Sequence, residues 1–377
     1  MHICFLTNEY PKKDFPHGGI GSFVKTIAQE LVKNGIKVSV LGFNYTDNYE
    51  ETIDCGVLIF RLKQAKIKGL SWHFNFRKIN AKLEEINNSD KIDIVEASEL
   101  GLAFIKKNTT TKYIIRLHGG HHFFAESENR KINWWKGFQE KRSFKKADGF
   151  IAVSKFVKSH TEKYLSYNNK PIEFINYPIN SDLFIPIEGK IILNKIVFAG
   201  TVCEKKGVRQ LIQAFQIVKK QFPDATLDIY GRDWFYADGC SYIEMLKNKE
   251  IKDSKSITFK GSVKYEEIPN KYAQAEVCVF PSHMETQGLV APEAMAMEKM
   301  VVFSQQGPGP ETIIDYETGL LCNPHDPEDI AEKIIWVFNN LEKTNEITKN
   351  ARISVLNKFN IEKITQKNID FYKTIID

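Results

Sequence analysis

Short apolar runs alternate with amphipathic stretches of helical period over nearly the whole chain, and this alternation leaves few folds open. Strands are predicted at residues 3–6, 38–41, 58–61, 92–96, 113–118, 149–153 and 173–175 in the front half. In the back half they are predicted at 196–199, 226–230, 257–260, 277–280 and 300–303. Continuous apolar strands separated by helices make parallel sheets covered on both faces. In the first helix Phe23, Val24, Ile27, Ala28, Leu31 and Val32 fall on one stripe, and Asn34-Gly35 ends it. Back-half helices are predicted over roughly 207–221, 240–249, 265–275, 291–298, 310–315 and 327–341. Between the halves, the stretch from Asn176-Tyr177-Pro178 through Pro186 to Gly189 has no periodicity and reads as a linker. Helical patterns from about residue 345 onward have no strand after them and must pack on what precedes them. The expected architecture is α/β, with two doubly wound, Rossmann-like domains facing a cleft. They are divided as 1–185 and 186–359, with a last helix at about 360–377 packing back on the first.

At 377 residues the chain is too long for one ordinary core and suits two domains. With 42% apolar and 26% charged residues it has a globular composition, which excludes a disordered or fibrous protein. No apolar run approaches the ~18–20 residues of a membrane span. The opening MHICFLTNEYP lacks the charged region, long apolar core and small-residue cleavage site of a secretory leader, so none is expected. Six cysteines, at 4, 55, 203, 240, 278 and 322, show no C-x-x-C pair and no zinc spacing. Neither a disulfide framework nor a structural zinc is expected, and a reducing cytoplasm is the simpler setting. The net charge of +5 conceals an asymmetry: residues 1–170 carry 28 Lys+Arg against 18 Asp+Glu, net +10, and the remainder is net −5. A basic front half points to an anionic partner, whether nucleic acid, anionic lipid or a phosphorylated substrate.

Chemistry-bearing residues gather at the carboxyl ends of predicted strands, where open α/β sheets bind ligands. After the first strand, Gly18-Gly19-Ile20-Gly21 forms a turn before a helix, where backbone N–H groups can approach a phosphate. A dinucleotide fingerprint would need a third glycine where Val24 stands and an acid near Gly42-Phe43-Asn44, so NAD binding is disfavoured. His118 closes a strand in Arg116-Leu117-His118-Gly119-Gly120. A lone histidine is more often structural, but the two glycines behind it at this edge favour a functional reading. His121-His122-Phe123-Phe124 reads as loop packing. In the back half, Lys206 stands in Gly200-Thr201-Val202-Cys203-Glu204-Lys205-Lys206-Gly207, between a strand and a helix. A lysine there neutralises a phosphate as a point charge, although an exposed lysine alone is a weak signal. Glu285 and Glu293 are the most informative pair, one in the loop after a strand and one in a first helical turn with Pro292. The N–H groups of residues 288–290 between them can hold a diphosphate, with the carboxylates taking hydroxyls of a ribose and of a sugar. Acids at a helix start also stabilise its dipole, which taken alone is the plainer role.

In their order these segments resemble the retaining glycosyltransferases of family 4, which have the GT-B fold. The resemblance covers nearly the whole chain. It runs from Glu9-Tyr10-Pro11 with Gly18-Gly19-Ile20-Gly21, through 92–99, Leu117-His118-Gly119 and 176–184, to 200–207. The glutamate pair ending Glu293-Ala294-Met295-Ala296, then 307–311 and Thr318-Gly319-Leu320, complete it. The resemblance implies that Glu293 binds the nucleotide's ribose and Glu285 the donor sugar's hydroxyls. It implies that the amides of Gly288, Leu289 and Val290 hold the diphosphate, helped by Lys206 and the Gly19–Gly21 turn, and that His118 meets the donor sugar near the reacting centre. Gly200 and Thr201 line the donor site, and Val263 and the Gly231-Arg232 turn lie near the base. The front domain binds the acceptor and the back domain the nucleotide sugar. The family commonly has Arg where Thr201 stands, and Lys205, Arg209 and Arg232 are the nearby cations able to replace its charge.

The implied reaction moves a sugar from a UDP- or GDP-linked donor to a hydroxyl of a glycan, lipid-linked or protein acceptor, in bacterial cell-surface glycan or glycolipid assembly. Configuration is retained through same-face attack, with the leaving phosphate taking the acceptor's proton. No metal or other cofactor is expected, because Lys206 and helix N-termini supply the charge. No Asp-x-Asp follows a strand, and Asp326 and Glu328 read as capping acids after which a helix begins. A glycan phosphorylase would want a pyridoxal lysine and a longer chain. The alternatives are a nucleotide-sugar epimerase, which would act on donor alone, and a non-enzymatic binder of anionic surfaces. No nucleic-acid module is recognised. Peripheral contact of the front domain with an anionic membrane is expected from two clusters. Lys63, Lys66, Lys68, Arg77 and Lys78 surround Leu70, Trp72, Phe74 and Phe76 in the first. Arg130, Lys131, Lys136, Lys141, Arg142, Lys145 and Lys146 surround Trp134, Trp135 and Phe138 in the second. Solvated helix faces over core aromatics would show the same pattern.

Overall fold

A computed structural model describes residues 1–13, 15, 18–127, 130–251 and 255–377. The chain divides into two compact units, Met1–Pro178 with Ile361–Asp377, and Ile179–Asn360. The sequence predicts the boundary at 185/186. It falls earlier because the Ile179 N–H donates to Phe359 O and the Phe184 ring packs on Tyr265 and Tyr272, all in the second unit.

The first unit runs β1 (His2–Leu6), α1 (Gly19–Lys33), β2 (Lys37–Phe43), β3 (Glu50–Asp54), β4 (Val57–Leu62), α2 (Ser71–Ser89), β5 (Ile94–Ala97) and β6 (Lys112–Leu117). It continues through α3 (His121–Ser127), α4 (Trp134–Lys146), β7 (Gly149–Ala152), α5 (Lys155–Glu162) and β8 (Ile172–Phe174). The sheet order is β3-β4-β2-β1-β5-β6-β7-β8. All neighbours are parallel except β3 with β4, an antiparallel edge hairpin. Its sequence, EETID, is too acidic and too exposed to read as a strand. From β1 the chain crosses through α1 to β2, and from β4 it crosses back through α2 to β5. Right-handed crossovers then put α1 and α2 on opposite faces, with the switch between β1 and β5. The stripe on α1 is buried as read except at Val32, which is half-exposed.

The second unit runs β9 (Lys195–Ala199), α6 (Val208–Gln221), β10 (Thr226–Tyr230), α7 (Tyr242–Lys249), β11 (Ile257–Gly261), α8 (Ile268–Ala273) and β12 (Val277–Phe280). It ends with α9 (Val290–Ala296), β13 (Met300–Ser304), α10 (Gly309–Thr312), β14 (Leu320–Cys322), α11 (Pro327–Asn339) and α12 (Leu341–Lys358). The sheet is wholly parallel in the order β11-β10-β9-β12-β13-β14, so its switch point lies between β9 and β12. The helix expected over 265–275 is shorter: a 3₁₀ turn at Tyr265–Glu267 precedes α8, whose first turn carries a proline. β14 has only three residues and left no period to read. As expected, Asp326 caps α11, accepting from the N–H of Glu328 at 2.9 Å.

The last helix, α13 (Ile361–Ile376), belongs to the first unit and packs beside α1. A buried network fixes it. Arg116 on β6 donates to both oxygens of Glu96 on β5, at 2.7 and 3.1 Å, and to Asn368 Oδ1 at 2.5 Å. Tyr372 donates its hydroxyl to Glu96 at 2.7 Å. A charge buried this deeply persists only when paired and hydrogen-bonded, so the network specifies where α13 docks.

Candidate active site

In the second unit the loops after β9 and β12 flank the switch point, where open α/β sheets take their ligands. Lys206 ends a 3₁₀ turn, and Gly207 follows at φ +69°, a left-handed conformation that favours glycine. A Cβ at Gly207 would sit 1.9 Å from Pro281 O, so only glycine lets the two loops touch. The His283 N–H donates to Lys205 O at 2.9 Å and ties them further. Across this seam Lys206 forms an ion pair with Glu285, which also accepts from the Ser282 hydroxyl at 3.0 Å. Far apart in the sequence, the two residues are partners in the fold.

Glu293 lies in the first turn of α9 and is buried. Tyr265, from the turn before α8, donates its hydroxyl to Glu293 at 2.7 Å. Burial pushes the Glu293 carboxyl up to about 8, against which the Tyr265 bond acts only in part. Between the two glutamates, the N–H groups of Gly288, Leu289 and Val290 donate to no acceptor among the described residues. Gly288 O and Leu289 O instead accept from Ala291 and Glu293 as the helix begins. Thr201 is half-buried, and the neighbouring Val202 N–H donates to Arg232 O at 2.9 Å, so the Gly200-Thr201 and Gly231-Arg232 turns run side by side. Val263 is half-buried just past β11. Arg209 is committed to Glu204 at 2.6 and 3.0 Å, whereas Arg232 is exposed and has no side-chain partner among the described residues.

In the first unit His118 directly follows β6 and is buried. Its ring stacks on Tyr177 with centroids 5.8 Å apart, and Nδ1 shares a hydrogen bond with the Tyr177 hydroxyl. Burial, with Arg116 nearby, pushes His118 down to about 3, so the ring is neutral at physiological pH. Thr7, Glu9, Ile20, Ser98 and His118 line a small crevice at the switch between β1 and β5. The loop behind His118 is clamped by two carboxylates that the sequence did not mark. Glu99 accepts from the Gly119 N–H at 2.7 Å and is pushed up to about 8 by burial. Glu140, from α4, accepts from the N–H groups of His121 and His122 and pairs with the His122 ring. A Cβ at Gly120 would stand 2.0 Å from Glu140 Oε1, which gives that glycine its reason. The segment at 121–124, read as loop packing, is instead the start of α3, whose first N–H groups Glu140 caps. Gly19 and Gly21 are likewise helical: α1 begins at Gly19, and Gly21 is buried within its first turn, where no open turn exists. Among the described residues, no group of three or more His, Cys, Asp or Glu side chains is arranged to hold a metal ion. No helix among them is long and apolar enough to cross a membrane.

Free backbone donors and a lysine at the switch point of a parallel sheet are the features with which such folds can take phosphorylated ligands, and comparison with known proteins gives the class. Residues 17–183 match the model described as Glycosyltransferase Family 4, and residues 191–354 match that of Glycosyl transferases group 1. An uncharacterized glycosyltransferase of Methanocaldococcus jannaschii is 27% identical over 372 residues, covering 97% of this chain and 98% of its own. Among solved structures, sucrose-phosphate synthase from Thermosynechococcus elongatus superimposes with a TM-score of 0.84 at 21% identity, covering 99% of this chain and 98% of that one. HepE of Anabaena, solved in complex with UDP-glucose, gives 0.78 at 16% identity, covering 99% of this chain and 100% of that one. The chain belongs to glycosyltransferase family 4 and has the GT-B fold.

Proposed function

We propose that the protein is a retaining, metal-independent glycosyltransferase that takes its sugar from a UDP-linked donor, with a GDP-linked donor as the alternative. The reading rests on the second unit's switch point, where three free N–H groups lie beside the Lys206–Glu285 pair. The N–H groups of Gly288, Leu289 and Val290 take the diphosphate, and buried Glu293 takes the ribose hydroxyls. Lys206 leaves Glu285 for the departing phosphate, which frees Glu285 to accept from the sugar's hydroxyls. Arg232, beside Thr201 and uncommitted, supplies the second positive charge; Arg209 is held by Glu204. In the first unit, neutral His118 offers a sugar hydroxyl a hydrogen-bonding group and not a charge. The leaving phosphate accepts the acceptor hydroxyl's proton on the same face, so the anomeric configuration is kept. The UDP-glucose in HepE favours uridine over guanosine. The acceptor is a glycan or a lipid-linked hydroxyl.

Release of nucleoside diphosphate from a panel of UDP- and GDP-sugars, with and without glycan and lipid-linked acceptors, tests this reading. Turnover that needs an acceptor, survives a chelator and gives a product of unchanged anomeric configuration by NMR is expected. Conversion of donor alone to an epimer would replace the transferase reading with the epimerase one.

A further inference from the structure

The two basic aromatic clusters seen in the sequence form a single surface. Trp72 on α2 lies edge-on to Trp135 on α4 with centroids 5.3 Å apart, and both rings contact Phe104, at 4.7 and 5.7 Å. The Arg142 guanidinium lies over Phe104, at 5.4 Å from the ring centroid, and closes this half-buried layer. Trp72 is the exposed edge of this layer, and Leu70, Trp134 and Phe138 stand beyond it, all exposed; Trp134 is 78% exposed, with its ring stacked on Phe138. A core explains the inner layer but not an indole and a phenyl stacked in solvent, which mark a surface that another body covers.

Position and charge identify that body. Along α4, Trp134, Phe138, Lys141 and Lys145 share the solvent stripe, and the helix's one acid, Glu140, is buried on the opposite side. Lys68, Arg77, Lys131, Lys136, Lys141 and Lys145 are exposed and pair with no acid among the described residues. An apolar aromatic centre with an unneutralised cationic rim complements a bilayer that carries anionic headgroups. Indoles and phenyls settle in its interfacial layer, and each lysine adds attraction at its surface. The surface is also joined to the first unit's candidate site: the Asn133 N–H, directly before Trp134, donates to His121 Nε2 at 2.8 Å. His121 follows the His118-Gly119-Gly120 loop, so the α4 end of the patch and the candidate acceptor edge are parts of one hydrogen-bonded segment.

We infer that the surface formed by Leu70, Trp72, Trp134 and Phe138 within its lysine rim docks the first unit on an anionic bilayer, next to where a lipid-linked acceptor presents its hydroxyl. The choice of acceptor rests on the glycosyltransferase reading; the docking does not. Flotation of the full chain with phosphatidylcholine vesicles, with and without phosphatidylglycerol, tests it at low and high salt. Binding is expected only with phosphatidylglycerol and falls with salt. Trp134→Ala with Phe138→Ala abolishes it. Lys136→Glu, Lys141→Glu and Lys145→Glu together lower partition by at least about 100-fold. All of these side chains are exposed, and UDP or GDP binding by calorimetry on the same variants shows that the second unit is intact. No binding by the wild type, equal binding to neutral vesicles, or binding unchanged in both variants overturns the inference. Self-association lost in the Trp134/Phe138 variant without vesicle binding overturns it too, and makes the patch a contact between copies. If docking holds but no donor turns over, the function fails and the surface stands.

Discussion

The two sheets carry ligand edges at the same topological place but equip them in opposite ways. In the first unit the loop behind His118 is closed: Glu99 and Glu140 take the N–H groups of Gly119, His121 and His122, and His118 itself is neutral and paired with Tyr177. In the second unit three backbone donors are open, and the Lys206–Glu285 ion pair joins two partly exposed side chains able to exchange partners. A rigid neutral edge suits orientation of hydroxyl groups. An edge with spare donors and a movable cation suits a dianionic group whose charge grows as its bond breaks. The difference between the two loops supports the proposal that the second unit holds the diphosphate.

Removing the movable cation should have the largest effect. Lys206→Ala is expected to lower kcat by about 10²–10³-fold, the loss for one preorganised charge-stabilising donor. Steady-state donor turnover measures it, and a rate within about threefold of wild type would move that role to Arg232. Next, above about pH 8, where the carboxylate is ionised, Glu293→Ala should weaken nucleotide binding by roughly 10–100-fold, the value of a hydrogen bond to a charged group. Glu285→Ala should lower turnover more than affinity, and calorimetry beside turnover separates the two. Near-wild-type values for both variants would dissolve the site. In the first unit, His118→Ala should lower turnover by about tenfold, as for one neutral hydrogen bond, with nucleotide affinity unchanged. A parallel loss of nucleotide affinity would erase the division of labour between the edges.

The buried glutamates give the smallest effect. Glu99 and Glu293 are each raised from 4.5 to about 8, so the folded chain holds their protons more tightly than the unfolded chain. The stability this contributes is fully present below pH 4.5 and is lost as pH rises through about 8. Glu293→Gln should reduce that loss, with melting shifts on the order of 2–4 °C per kcal/mol. It should also flatten a rise in nucleotide affinity between about pH 6 and pH 8, since ribose hydroxyls favour the ionised carboxylate. Glu99→Gln should change the stability profile alone.

The alternation of apolar strand and amphipathic helix made both sheets legible, because a strand covered on both faces must be apolar throughout. The polar edge strand β3 and the three-residue β14 carry no such constraint and escaped notice. Lys206, Glu285 and Glu293 could be picked out because each stands at a strand end or helix start, where local sequence reports local geometry. Tyr265, Glu99, Glu140 and Tyr177 could not: each meets its partner through tertiary packing, with a separation of 18 to 59 residues along the chain. Nor did the sequence show that Gly19 and Gly21 are helical, because a glycine-rich stretch signals a turn whether or not a helix continues through it.

Titration of UDP and GDP into the wild type and Glu293→Ala, followed by calorimetry, tests most directly whether the second unit holds a nucleoside diphosphate. Above about pH 8, one of them should bind at a single site, with loss or weakening of that binding by at least about tenfold in the variant. No binding of either nucleotide by the wild type, or equal affinity in the variant, would contradict it.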